Sequence, residues 1–184
     1  MPRIDVHAHL VPENCSDLIA GRNTDAGKPP NVVDSMSDIS TRLLHMDERG
    51  IDVQLLSAPP WLCNPPIEVA RRLNDGTAEV IRSYPSRFKG LATVPMADPE
   101  IAATELERCV KDLGFVGLEI LSNVEGENLH ESRFKPLYAK MTELQTPAFI
   151  HPHNVLGAKD RLQDFYLTNF IGNPTDTAVA AACL

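Results

Sequence analysis

The sequence predicts an α/β fold of βα units around a parallel sheet, either a TIM-type (β/α)8 barrel, of which only the first five βα units would be present, or an open doubly wound sheet. Short apolar or β-branched runs alternate with longer stretches of helical period, the pattern of βα units around a parallel sheet. No glycine-rich GxGxxG or phosphate-binding loop follows any strand, which disfavours the doubly wound nucleotide-binding alternative. Histidines stand at the ends of the first and fifth strand candidates, where a barrel builds its active site.

The first strand is read at Arg3 to Ala8. Asp38 then caps a helix whose apolar positions Ile39, Leu43, Leu44 and Met46 keep a period near 3.6, and Gly50 stops it. The second strand, Val53 to Ser57, follows that turn. A helix from about Ile67 to Tyr84 is stopped by Pro85 and leads into a third strand, Gly90 to Val94. Asp98-Pro99-Glu100 supplies a cap, a proline at the first helical position and an acid in the first turn, with Gly114 as the stop. The fourth strand is Val116 to Ile120, and a helix from about Arg133 to Leu144 precedes the fifth, Ala148 to His151. A last helix starts near Thr175. Asn14 to Ser37 and Asn123 to Ser132 read as loops.

The chain has 184 residues, 43% hydrophobic and 23% charged, which argues against wholesale disorder. A complete TIM barrel typically needs about 250 residues, so on the barrel reading residues 1–184 would form a single, incomplete barrel domain lacking three βα units. Twenty-five acidic against 17 basic residues give a net charge of −8, without the basic footprint of a nucleic-acid binder or a membrane-surface protein. No apolar run approaches the roughly 18 residues of a membrane span, and the amino terminus lacks the apolar core of a signal peptide. A cytosolic location is the expectation. Cys15, Cys63, Cys109 and Cys183 form no CxxC pair and read as reduced thiols.

His7-Ala8-His9 is the most informative short motif. Residues two apart on a strand project to one face, so both imidazoles can converge on one ion; the competing reading is a packed or solvated pair. His151 alone is more often structural than a ligand, but three strand-end histidines together favour a metal site for Zn²⁺ or a similar ion. His153 has the same parity but falls in the following loop. Glu119 faces either the barrel interior or a polar network. Asp5 reads as a supporting or bottom-face residue. Trp61, after strand two, is a substrate-wall candidate against plain loop packing. Asn123 is a candidate for hydrogen bonding to substrate against a turn role. His45 and His130 are assigned no chemistry.

The blocks Ile4-Asp5-Val6-His7-Ala8-His9, Met46-Asp47-Glu48-Arg49-Gly50-Ile51-Asp52-Val53 and Arg87-Phe88-Lys89-Gly90-Leu91-Ala92-Thr93-Val94-Pro95-Met96 resemble the aminocarboxymuconate-semialdehyde decarboxylase branch of the amidohydrolase superfamily. The resemblance continues through Leu113-Gly114-Phe115-Val116-Gly117, Phe134-Lys135-Pro136-Leu137-Tyr138, Ile150-His151-Pro152 and Ile171-Gly172-Asn173-Pro174. It implies a (β/α)8 barrel with one divalent metal, Zn²⁺ or alternatively Mn²⁺, held by His7, His9 and His151. It also implies non-oxidative decarboxylation of a small carboxylated aromatic or a muconate-semialdehyde-like substrate. The family's acid/base histidine, in an Ala-His-Gly-Gly block, and its metal-site aspartate would fall beyond Leu184. Its substrate arginine has no clear match: the corresponding stretch is Lys28-Pro29-Pro30-Asn31, and Arg42 belongs to the capped helix. The implied partner is a small-molecule carboxylate, with no nucleic acid and no membrane, and a homodimer stays open. The alternatives are a metal-dependent hydrolase of the same superfamily and a catalytically inactive, truncated paralogue acting by binding.

Overall fold

A computed structural model describes residues 1–19 and 36–184; the Lys28-Pro29-Pro30-Asn31 stretch lies outside the described residues. Five parallel strands form one sheet: β1 (Ile4–His9), β2 (Val53–Ser57), β3 (Phe88–Ala92), β4 (Gly117–Leu121) and β7 (Ala148–His151). Two short strands, β5 (Asn123–Val124) and β6 (Glu127–Asn128), make a separate antiparallel hairpin. The sheet order, β1-β2-β3-β4-β7, follows the chain without the reversal that defines a doubly wound sheet, so the curl is that of a partial TIM barrel. β1 and β7 are its edges. The helices α1 (Ile39–Arg49), α2 (Ile67–Ser83), α3 (Pro99–Lys111), α4 (Lys135–Leu144) and α5 (Asn173–Cys183) occupy the connections and the end of the chain. No helix among the described residues is long and apolar enough to cross a membrane.

Local chemistry sets the helix ends. The Asp38 carboxylate accepts hydrogen bonds from the Thr41 backbone N–H (3.0 Å) and hydroxyl (2.6 Å) at the start of α1. Gly50, at φ 64°, closes that helix in the left-handed conformation that glycine adopts without a Cβ penalty. Asp98 caps α3 through the Ile101 N–H at 3.2 Å, with Pro99 in the first turn.

Between sheet and helices lies the main core. Ala8, Leu56, Leu118 and Ile120 point from their strands toward the helices and pack with Met46, Ile81, Leu106 and Leu137. Alternation along a strand then directs Ser57, Glu119 and His151 to the opposite, inner face. Gly90 is where β3 is pressed hardest against this core. A Cβ there would lie 2.8 Å from the Phe115 ring and 2.9 Å from Ile81 Cδ1. Gly90→Ala is expected to destabilise by about 1–3 kcal/mol through overpacking, readable as a lowered urea midpoint with an unchanged slope.

Beyond one-residue shifts of β1 and β4, four elements depart from the sequence expectation. β3 runs Phe88–Ala92 and not Gly90–Val94 because the Thr93 N–H is taken by the Asn74 side chain of α2 (2.9 Å), which withdraws it from the ladder. Within the supposed loop after residue 13, Glu13–Ile19 winds as a 3₁₀ helix around the fully buried Cys15. The Asn123 to Ser132 loop contains the β5–β6 hairpin, turned by Glu125 (φ 57°) and Gly126 (φ 87°). The last helix begins two residues early, at Asn173, as the continuation of a π-helical turn over Thr168–Gly172.

Candidate metal centre

His7, His9 and His151 meet on the inner face at the carboxyl ends of β1 and β7. Their potential ligand atoms all lie within 4.8 Å of one another. The three ring centroids are 4.8 to 5.2 Å apart, and the Phe149 ring of β7, tilted by 55°, lies 5.1 Å from the His7 ring. His7 Nε2 and His9 Nε2 approach to 3.0 Å. Two nitrogens bound to one ion at about 2.1 Å each would be separated by roughly 3.0–3.4 Å, depending on coordination geometry, so this pair fits a shared ligand edge.

Backbone carbonyls select the tautomers. His9 Nδ1 lies 3.1 Å from the Ala58 carbonyl and His151 Nδ1 lies 2.8 Å from the Pro152 carbonyl. A carbonyl only accepts, so Nδ1 carries the proton in both rings and the Nε2 lone pairs face the cluster. Burial, reinforced by the neighbouring His7 and His151, pushes His9 down to about 4. Burial likewise lowers His151, partly offset by its bond to the Pro152 carbonyl. Neutral imidazoles are the form that ligates a metal, so the donor set fits a divalent ion of the borderline class.

β1 reaches this geometry through an irregularity. Asp5 pairs with Gln54 and Ala8 with Leu56, three steps on β1 against two on β2. The extra residue is a β-bulge, which breaks strict alternation and re-aims the side chains beyond it. Asp5 therefore shares the helix-facing side with Gln54, while His9 faces inward opposite Ser57. A cavity of about 390 Å³ opens beside the bulge, lined among others by Asp5, His7, His9, Arg42 and Gln54.

Beside His9, three groups that the sequence left unconnected come together. Ser57 Oγ is 3.3 Å from His9 Nδ1, and the Cys63 thiol donates to Glu119 Oε1 at 3.4 Å. Glu119 is buried, and burial pushes its carboxyl up to about 7, with hydrogen bonds from Ser57 and Cys63 pulling the other way. Cys63 is raised well above an ordinary thiol by burial and by Glu119. Strand parity was the available signal for Glu119; nothing in the sequence links it to Ser57 or Cys63.

Asn123, expected near the substrate or in a turn, stands in a polar clamp. Its Nδ2 donates to the His153 carbonyl at 2.6 Å and to Asp176 Oδ2 at 3.3 Å, and its Oδ1 accepts from the Gly126 N–H at 3.2 Å. Asp176 of α5 also accepts from the Ser122 hydroxyl and from the Leu156 N–H at 3.1 Å. This clamp ties the segment after His151 to the end of β4. Trp61 sits in the 3₁₀ turn Pro60–Leu62 above β2 and packs with the second apolar cluster, around Val11, Leu62 and Leu73. His153 lies in the loop after β7, as its position predicted; His45 and His130 are exposed and stand outside the three-histidine cluster, although His45 lines the cavity beside the bulge.

The amidohydrolase family model matches residues 65–177. The chain is similar to 2-amino-3-carboxymuconate-6-semialdehyde decarboxylase of Dictyostelium discoideum, 31% identical over 97% of this chain and 56% of that protein. It is similar to gamma-resorcylate decarboxylase of Polaromonas sp. strain JS666, 38% identical over 73% of this chain and 45% of that protein. Among solved structures, the dihydroxybenzoic acid decarboxylase of Polaromonas sp. JS666, with bound manganese and the inhibitor 2-nitroresorcinol, superposes with a TM-score of 0.82. The match is 31% identical and covers 100% of this chain and 60% of that one. The chain thus spans about half the length of the relatives it matches. These likenesses support a divalent metal without selecting the ion. With the five-stranded partial barrel, its inward histidines and the family match agreeing, the chain belongs to the amidohydrolase family.

Proposed function

We propose that this chain carries the metal-binding part of a non-oxidative decarboxylase acting on a small carboxylated aromatic or a muconate-semialdehyde-like substrate, and that residues 1–184 act as one barrel-type domain. The observation that carries the reading is the convergence of the His7, His9 and His151 ring nitrogens on one point of the inner face. Its likeness to decarboxylases supports the reaction class.

In this reading His7, His9 and His151 hold the ion through Nε2. Zn²⁺ is the first choice for a neutral imidazole set, with Mn²⁺, bound by the Polaromonas relative, as the alternative. When bound, the ion supplies Lewis-acid polarisation of a substrate oxygen. The chain's own residues orient the ligands and line the approach to the ion. The Ala58 and Pro152 carbonyls keep the ring protons on Nδ1. Trp61, above the end of β2, walls the substrate, and Asn123 orients the loop that approaches it. The substrate carbon bearing the carboxylate gains a proton from water, leaving hydroxide; the carbon–carbon bond to the carboxylate then breaks, its electron pair returns to the substrate's conjugated system, and CO₂ leaves. A cytosolic setting suits the reduced thiols.

The test incubates the chain, loaded with Zn²⁺ or Mn²⁺, with hydroxylated benzoates and, separately, with lactones and esters. Release of CO₂ with an equal amount of decarboxylated phenol is the expected result. Acid release from the lactones or esters with no CO₂ from any carboxylate would move the assignment to a hydrolase. A monodisperse chain that takes up no metal and turns over nothing would leave a binding role.

A further inference from the structure

The inward aim of His7 depends on the bulge in β1, and a bulge leaves a backbone group without its ladder partner. Three polar side chains close on that defect. The Asp5 carboxylate accepts the His7 N–H through Oδ1 at 3.1 Å and the Gln54 amide through Oδ2 at 2.9 Å. Gln54 Oε1 in turn accepts from Arg42 Nη1 at 3.2 Å, and Arg42 Nη2 donates to the His9 carbonyl at 2.6 Å. The circuit begins at the amide of one histidine and ends at the carbonyl of the other. It draws one member each from β1, β2 and α1, so both histidine backbones are referenced to the helix layer.

We propose that Asp5, Gln54 and Arg42 are positioning residues whose hydrogen-bonded circuit holds the β1 bulge and thereby sets the separation of His7 and His9 at the ion. The inference rests on the metal-centre reading above. The contacts differ from those that orient the rings: the carbonyls of Ala58 and Pro152 fix ring rotation, whereas the circuit fixes where the two ring-bearing backbones stand. Arg42 suits the task because a planar guanidinium presents two donors in fixed relation, one to Gln54 and one to the His9 carbonyl, which a lysine ammonium reproduces poorly.

The test measures Zn²⁺ affinity by competition with a chelating dye, the visible spectrum of the Co²⁺-loaded chain, and the melting temperature of the metal-free chain. Arg42→Met and Asp5→Ala are each expected to weaken Zn²⁺ binding about 10–100-fold, the range for partners that orient ligands, and to alter the Co²⁺ bands. The double variant should fall little further than either single one, because a circuit cut once is already open. Arg42→Lys should lie between wild type and Arg42→Met. A lowered melting temperature with Zn²⁺ affinity within twofold of wild type and unchanged Co²⁺ bands would overturn the proposal. Should Arg42→Met fail to fold, Gln54→Leu cuts the circuit at its midpoint and carries the same expectation. His7→Ala separates the two readings. Unchanged Zn²⁺ affinity in that variant would sink the metal centre itself, whereas loss in His7→Ala without loss in the circuit variants would sink only the circuit.

Discussion

Replacing His7 and His151 together with alanine should lower divalent-metal affinity by about 10³-fold or more. The size follows from a comparison: a partner that only orients a ligand is worth about 10–100-fold, and this variant removes two of three donors outright. Metal content after dialysis, read by mass spectrometry, should drop to background, while the wild type keeps close to one ion per chain. A second readout needs no activity. An ion that binds only the folded state adds about 2.7 kcal/mol when present at 100 times its dissociation constant. Mn²⁺ or Zn²⁺ should therefore raise the melting temperature of the wild type and leave that of the double variant where it was. Equal metal content in both proteins would show that the ion sits elsewhere. Because His7 is exposed and neither histidine belongs to an apolar core cluster, the double variant should still fold.

Glu119→Gln should change how stability depends on pH. The folded carboxyl titrates at about 7 against an ordinary 4.5, because burial penalises its charged form. A separation of that size corresponds to about 3 kcal/mol. The folded state is the one that holds the proton more tightly, so this contribution is fully present below about pH 4.5 and is lost as pH rises through about 7. Glutamine, isosteric and uncharged, removes the dependence. In metal-free protein, the stability difference between Glu119→Gln and wild type should shift in the variant's favour by up to about 3 kcal/mol between pH 4.5 and pH 8. Urea midpoints at the two pH values measure it, and any fixed offset from altered bonding to Cys63 cancels in the comparison. A pH-independent difference would show that Glu119 keeps its charge in the folded chain.

Much of this site was legible because it depends on short-range rules. His7 and His9 share a face through the two-residue period of a strand, and His151 lies at another strand's carboxyl end. Caps did the same for the helices: Asp38 with Gly50, and Asp98 with Gly114, delimit α1 and α3 by chemistry confined to one turn. The bulge in β1 left no such mark, since an extra residue is defined only against the partner strand 49 positions away, where Asp5 meets Gln54. β3 slipped by two residues for a similar reason: Asn74, 19 positions earlier, takes the Thr93 amide. The β5–β6 hairpin hid behind its turn residue. Glu125 adopts φ 57°, where asparagine or aspartate is the usual signal. Asn123 illustrates the limit of naming a polar residue at a strand end, because whether it meets a substrate or a neighbouring loop depends on Asp176, 53 positions on.

The Cys63–Glu119 contact also bears on the state of the sulfur inside the partial barrel. A thiol must lose its proton to become a strong ligand, and here burial and the carboxyl beside it both keep that proton in place. In the metal-free chain the Cys63 sulfur is therefore held as a neutral thiol, donating to Glu119 and standing outside the three-histidine cluster. The cysteine there acts as a small, protonated donor that satisfies one oxygen of a buried carboxyl.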